Sequence, residues 1–504
     1  MVKRIGIVAA LGVIAAFGVP RAVIVSADQP PQYFVDARRL PFDALAGTST
    51  RRLFGVHKGA GYRIEVPDNW NGSLVLYAHG FRGSGLELTV SNPVIRQYLV
   101  TNGFAWAASS YAKNGYDVKA GVQDTHALTS LFNGLVGVPR RTYLTGHSMG
   151  GHITGVAIEQ YPNAYDGAMP MCGVMGDAEL FDYFLDLQLV AQALAGIPAR
   201  YPFPADYGTT IAPVIRTAFG TPYPFALTPQ GLQYAAVVQQ LTGGTRANFA
   251  TAFGFWGNSL LGFALPGDFG GTPGRAVGNV DTIYQMDDNP ALTAAEQALN
   301  NIVLRVSEDP QGRHPNGLAN IPGISGNIPI PTLTMHTLGD LFVPFSMEQI
   351  YRRHANAQGT SDLLVQRVYR DVGHCFFLPS EEAQAFAALV NWVEAGAKPA
   401  GDDVLTSAVI ADPKYGCNFT QAPRAGYAAC TPLGLERATS PDWVCFTHLA
   451  INARTHRELM PKRENFGPEL EPRADRAPHE VSTATNSAIM LLENGISLWP
   501  RNVP

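Results

Sequence analysis

Gly146-His147-Ser148-Met149-Gly150 stands between the apolar run Thr142-Tyr143-Leu144-Thr145 and the small-residue stretch Gly151-His152-Ile153-Thr154-Gly155-Val156-Ala157. The run before it has the composition of a buried strand, and the stretch after it has that of a closely packed helix. A strand that turns at once into a helix forces the central residue, Ser148, into a strained backbone conformation. Glycines two residues to either side keep neighbouring backbone from colliding. The Ser148 hydroxyl is then presented at a helix N-terminus, where the positive end of the dipole and free N–H groups favour developing negative charge. This reading of the pentapeptide as a nucleophile elbow competes with an ordinary strand-to-helix turn, and the flanking strand and helix decide for the elbow.

Working outward, other runs repeat the theme. Residues 62–66 alternate like a strand, and residues 73–78 form a nearly continuous apolar strand of the kind covered on both faces. Residues 104–109 repeat that pattern, and a helix is expected over residues 122–132. Residues 167–172 make a further strand, with Pro170 fitting an edge or a strand end. Strands at residues 332–336 and 363–369 and a closing helix at 383–393 complete the alternation. Strands alternating with helices imply an α/β fold with a mostly parallel central sheet and helices on both faces.

Between residues 173 and 330 the alternation stops. That stretch is rich in Phe, Tyr, Pro and Gly, contains helical patterns including one opened by the capping pair Thr293 and Glu296, and is too long for a bare loop. It reads as a lid inserted at the sheet edge where ligands approach. Its aromatic clusters, Phe181-Asp182-Tyr183-Phe184, Tyr201-Pro202-Phe203 and Phe253-Gly254-Phe255-Trp256, either line an acyl or aryl pocket or form the core of the insert. The expected organisation is therefore a signal peptide at 1–27, a first core part at 28–172, the lid at 173–330, a second core part at 331–398, and a C-terminal extension packed on the core at 399–504.

The signal peptide rests on Lys3-Arg4, the apolar run 5–19 and the small residues Val25-Ser26-Ala27, with cleavage expected after Ala27. The apolar run is short for a bilayer span, so a secreted or periplasmic protein without integral membrane association is expected. A charged fraction of 15%, a net charge of -5 and the absence of dense Lys/Arg runs argue against nucleic acid as a partner. The five cysteines, Cys172, Cys375, Cys417, Cys430 and Cys445, lack the paired spacing of a zinc site. In an exported chain they read as disulfide formers, with one bridge expected among the last three and at least one thiol left over.

A serine hydroxyl needs an imidazole to take its proton, and the imidazole needs a carboxylate to fix its tautomer. Asp340, in Leu338-Gly339-Asp340-Leu341, directly follows the strand ending at His336. His374, in Val372-Gly373-His374-Cys375, follows the last strand in the same way, on a loop that Gly373 makes flexible and exposed. Ser148, Asp340 and His374 thus top successive strands of one sheet. Asp177 is the alternative acid, Asp371 has a surface or turn role, and His147, His152 and His336 are packing or hydrogen-bonding residues. The loop His79-Gly80-Phe81-Arg82 is placed to supply one oxyanion donor, the Phe81 N–H, with the Met149 N–H as the other. Arg82 either holds a substrate carboxylate or is solvated at the surface.

At these residues the chain resembles the α/β-hydrolase superfamily, over residues 62–172 and 331–396. The resemblance implies a serine hydrolase fold with a lid, acting without cofactor or metal. His374-Cys375 also looks like half of the tannase and feruloyl-esterase pattern, in which cysteines beside the nucleophile and the catalytic histidine are bridged. Here His147 precedes Ser148 instead, and Cys172 is an alternative partner for Cys375. The leading expectation is a secreted carboxylic ester hydrolase acting on small-molecule or polymeric substrates: moderately hydrophobic or aryl esters, polyesters included. A peptidase of aminopeptidase type, anchoring substrate through Asp177, Glu179 or Asp182, and a non-catalytic binding protein are the rivals.

Overall fold

A computed structural model describes residues 32–264, 277–308, 320–421 and residue 430. The expected signal peptide and most of the C-terminal extension lie outside these residues. Eight strands form one sheet in the order β1-β2-β4-β3-β5-β6-β7-β8. They are β1 (Thr50–His57), β2 (Ala60–Pro67), β3 (Ser73–Ala78), β4 (Ala105–Ser109), β5 (Arg141–His147), β6 (Gly167–Met171), β7 (Thr332–Thr337) and β8 (Leu364–Tyr369). The two pairings that involve β2 are antiparallel and the other five are parallel.

The parallel strands are buried on both faces, and their side chains divide by parity. Leu74, Leu76 and Ala78 enter one core with Val122, Leu128 and Phe132 of α2 (Val118–Leu135) and Ile153 and Val156 of α3 (Met149–Gln160). Val75 and Tyr77 enter the other core with Leu99 of α1 (Arg96–Thr101) and Phe386 and Leu389 of the helix Pro379–Ala395. Period-two alternation therefore sorts residues between two apolar layers, which is why these strands read as continuous apolar runs. Helix α2 begins four residues before its expected start because the Asp117 side chain accepts from the Ala120 N–H at 2.9 Å.

Strand β1 was not apparent from composition. It is an edge strand bearing Arg51 and Arg52, and it joins β2 through Lys58 and Gly59, both at positive φ, as a tight two-residue hairpin turn requires. Pro170 departs from expectation in the opposite sense, since β6 lies between β5 and β7 in the sheet interior. The Ala168 N–H donates to Pro331 O at 3.0 Å and the Cys172 N–H to Met335 O at 2.7 Å, so Pro170 omits only the rung between them.

Glu65, on the alternating strand β2, is fully buried. Its carboxylate accepts from Arg96 at 2.6 and 2.8 Å, from the Trp106 indole N–H at 2.7 Å and from the Thr50 hydroxyl at 2.9 Å, joining β1, β2, β4 and α1. Removing one partner of a buried ion pair leaves the other uncompensated. Glu65→Ala is therefore expected to destabilise the fold by about 3–5 kcal/mol. The check is a lower urea midpoint with the slope of the transition unchanged.

Between β6 and β7 the described chain is helical: α4 (Glu179–Leu194), α5 (Tyr207–Thr210), α6 (Ala212–Phe219), α7 (Pro229–Leu241), α8 (Phe249–Leu260) and α9 (Ala294–Ile302). Helix α9 opens with the reciprocal cap of Thr293 and Glu296. After β7 come α10 (Ser346–Gln358), α11 (Pro379–Ala395) and α12 (Ser407–Ile410). Past α11 the chain returns along β8, where the Asp402 N–H donates to Gln366 O at 2.7 Å and its carboxylate accepts from the Val368 N–H at 2.8 Å. That covers an otherwise open strand edge. Disulfides join Cys172 to Cys375 and Cys417 to Cys430, while Cys445 lies outside the described residues. Among the described residues no helix is long and apolar enough to cross a membrane.

Candidate active site

Ser148 occupies the single residue between β5 and α3 at φ 58° and ψ −121°. The flanking glycines are required by contact. A Cβ on Gly146 would lie 2.2 Å from Gly150 O, and one on Gly150 would lie 2.1 Å from Ala78 O. Gly150→Ala must therefore push β3 and α3 apart. A loss of roughly 3 kcal/mol is expected, read as a lowered thermal midpoint.

Asp340 and His374 lie on the loops after β7 and β8, at the same carboxyl edge of the sheet. Asp340 is fully buried; its Oδ1 accepts from the Phe342 and Val343 N–H groups at 2.9 and 3.1 Å. Its Oδ2 accepts from His374 Nδ1 at 2.5 Å, and His374 Nε2 lies 2.8 Å from Ser148 Oγ. The three residues read from sequence are thus brought into one hydrogen-bonded line. The imidazole presents its unprotonated nitrogen to the hydroxyl when Nδ1 carries the proton toward Asp340.

The His374 loop departs from expectation. Only 17% of the histidine side chain is exposed, so His374 itself is largely covered. Gly373 is there for close approach, since a Cβ on it would lie 2.2 Å from the Phe376 ring. Asp371 is buried rather than at the surface; its Oδ1 accepts from the Val372 and Gly373 N–H groups at 2.7 and 2.9 Å, so its role is in the turn. The neighbouring Cys375, at φ 59°, is bridged to Cys172, at φ 44°, which directly follows β6. Ser148, Cys172 and Cys375 all hold a left-handed backbone that non-glycine residues seldom adopt, a concentration of strain typical of functional sites.

The loop after β3 lies against the nucleophile, as a Cβ on Gly80 would sit 3.1 Å from Ser148 Cβ. Phe81 follows in that loop, and Met149 opens α3 with an N–H that precedes the intrahelical ladder. Arg82 turns back onto its own loop. It is largely buried, bonding Thr89 O and Oγ1 at 2.9 and 2.6 Å and the Ser91 hydroxyl. Burial holds its guanidinium below the ordinary arginine range.

Asp177 does not reach His374; its carboxylate accepts from the Ala178 N–H and, at 2.9 Å, from the Ile324 N–H. Asp182 accepts from the Gly278 N–H at 2.8 Å, and Glu179 is exposed in the first turn of α4. The other histidines are engaged elsewhere. His147 lies 3.3 Å from the Tyr77 hydroxyl and 3.1 Å from Glu382 Oε1, tying the elbow to α11. His152 lies 3.1 Å from the Tyr116 hydroxyl and 2.9 Å from Pro322 O, and burial lowers its pKa. Burial opposes charge on His336, but Glu348 at 3.4 Å, Asp340 and the Val343 carbonyl together raise its pKa. His79 stacks on Tyr111, and burial, aided by Arg82, pushes it down to about 3, so it is uncharged at neutral pH.

The aromatic clusters of the insert divide by what they touch. Phe203 packs on Tyr201 and Tyr207 inside the insert. Phe184 and Trp256 instead stack on Phe342, whose ring meets the His374 imidazole edge-on at 5.2 Å. Phe342 gave no signal in the sequence, although it stands two residues after Asp340. Cys172, His374 and Cys375 also cluster closely enough to suggest metal ligands, but the two sulfurs are bonded to each other and are not thiolates.

Strand order, parallel core, elbow and the three loops at one sheet edge define the α/β-hydrolase fold. No protein-family model matches the chain. It is 23% identical over 408 residues to an o-phthalyl amidase of Xanthobacter agilis, spanning 69% of this chain and 88% of that protein. Among solved structures it is similar to feruloyl esterase B from Aspergillus oryzae, with TM-score 0.42 and 14% identity over 74% of this chain and 86% of that one. An acylaminoacyl peptidase of Pyrococcus horikoshii follows, with TM-score 0.36 and 11% identity over 71% of this chain and 44% of that one.

Proposed function

We propose that this protein is a secreted serine hydrolase that cleaves carboxylic esters through an acyl-enzyme. The observation that carries the reading is the unbroken line from the buried Asp340 carboxylate through His374 to Ser148 Oγ, at 2.5 and 2.8 Å. In the proposed cycle, His374 Nε2 takes the Ser148 proton as Oγ attacks the ester carbonyl. The Phe81 and Met149 N–H groups receive the oxyanion, and His374 returns the proton to the leaving alcohol. Water, deprotonated by the same imidazole, then releases the acid. Asp340 stays ionised throughout and stabilises the imidazolium.

The described helices between β6 and β7 form the roof of the site in this reading. Phe342 beside His374, backed by Phe184 and Trp256, favours moderately hydrophobic or aryl groups on the substrate. Export from the cell fits the disulfides Cys172–Cys375 and Cys417–Cys430, because such bonds persist in oxidising compartments.

Amide hydrolysis is the second reading, favoured by the likeness to a protein named as an amidase. In that reading Asp177 and Asp182, which accept the Ile324 and Gly278 N–H groups, would take a peptide amine on their remaining lone pairs. A panel of aryl esters and aryl amides, run beside fluorophosphonate labelling, tests both readings. Ester turnover with label on Ser148 is expected. Faster amide cleavage favours the second reading, and folded protein that neither labels nor turns over either class returns the chain to a binding role.

A further inference from the structure

The helices between β6 and β7 do more than overhang the site. Three side chains leave that segment and donate to main-chain carbonyls in the two loops carrying Asp340 and His374. From α4, the Tyr183 hydroxyl donates to Leu341 O at 2.7 Å. From the turn between α7 and α8, Arg246 Nε donates to Leu338 O at 3.0 Å. From α8, the Trp256 indole N–H donates to Val372 O at 2.6 Å. Leu338 and Leu341 bracket Asp340, and Val372 lies two residues before His374. The loops are also tied to each other, since the Gly339 N–H donates to Asp371 O at 2.8 Å.

These contacts act where they matter for geometry. Each bonded carbonyl belongs to a peptide unit one residue removed from Asp340 or His374, so a donor held by the packed helices limits the loop rotations that would re-aim those side chains. Tyr183 and Arg246 are buried, so water does not compete for either carbonyl. Among the described residues Arg246 has no carboxylate partner; its other hydrogen bonds go to Gly244 O at 3.0 Å, the Thr242 hydroxyl at 2.9 Å and Gln239 O at 3.4 Å, and its guanidinium lies over the Phe249 ring at 5.3 Å. A hinged cover would have to break all three loop contacts each time it opened.

Resting on the hydrolase reading above, we propose that α4, α8 and the turn before α8 form a fixed brace, in which Tyr183, Arg246 and Trp256 are positioning residues that hold Asp340 and His374 in line with Ser148. The test compares Tyr183→Phe, Trp256→Phe and their double variant with Tyr223→Phe. Tyr223 donates to Gly257 O at 3.2 Å within the segment, so its variant loses a similar hydrogen bond without touching either loop.

Each protein is titrated with a fluorophosphonate, and aryl-ester kcat is expressed per labelled site. The Tyr183 and Trp256 variants are each expected to lose roughly tenfold in kcat with KM within about twofold of the parent, because small misplacements act on the reacting groups and not on binding. The far-downfield proton resonance of the His374 Nδ1–H is expected to shift or broaden in them, and to stay in place in Tyr223→Phe. An unchanged kcat and resonance in the double variant overturns the brace. So does a loss confined to KM, or an equal loss in Tyr223→Phe. If the parent neither labels nor turns over substrate, the hydrolase reading fails separately, and the downfield resonance alone still decides whether the three side chains set the His374 geometry.

Discussion

Ser148→Ala is expected to lower ester turnover by about 10⁶-fold, the loss seen when a member of a cooperating triad is removed. The substitution is clean here because the backbone at this position is already paid for by its surroundings. Alanine meets the same strain as serine at φ 58°, and the Ser148 N–H keeps its bond to Met171 O at 2.9 Å. What disappears is the oxygen 2.8 Å from His374 Nε2. Thermal unfolding should therefore match the parent, while kcat on an aryl ester falls to the level that oxyanion donors and substrate binding alone sustain. Turnover near that of the parent, with the fold intact, removes Ser148 from the mechanism.

Asp340→Asn has the next largest expected effect, about 10⁴-fold in kcat, by way of the wrong imidazole tautomer. The local geometry dictates which way the amide must point. Two N–H groups, from Phe342 and Val343, converge on the position of Oδ1, so an asparagine can satisfy them only with its carbonyl oxygen. Its NH₂ then faces His374 Nδ1 from the place now held by the carboxylate oxygen at 2.5 Å. A donor there requires Nδ1 to be the acceptor, which puts the ring proton on Nε2, facing the serine. Nucleophilic activation is lost although no atom need move far. The measurement is kcat/KM across pH, where a partial return of rate at high pH would accompany loss at neutral pH.

The parts of this molecule that were legible in the amino-acid order are those whose cause is local. Gly146 announces the elbow because a Cβ there would strike the carbonyl of Gly150 only four residues on, and the apolar runs at β3, β4 and β5 announce two-sided burial. The loops bearing Asp340 and His374 could be placed because each directly follows a readable strand. Strand β1 escaped notice because an edge strand can carry Arg51 and Arg52 without burying them. Pro170 misled because its cost depends on which neighbour its missing N–H would have served. Tyr183 and Trp256 reach loop carbonyls 158 and 116 residues away in sequence, and no short-range pattern encodes such a meeting. The partner of Cys375 stayed open for the same reason, since Cys172 lies 203 residues before it.

That last bond also changes what a broken chain would look like. A single backbone cut anywhere between Gly173 and His374 would put Ser148 and His374 on separate polypeptides, yet the sulfur bridge from Cys172 to Cys375 would keep them in one molecule. Nicked protein should then migrate as one species on a denaturing gel without reductant and as two once thiol is added. Survival of hydrolytic function after such a nick becomes a question of redox state rather than of chain continuity.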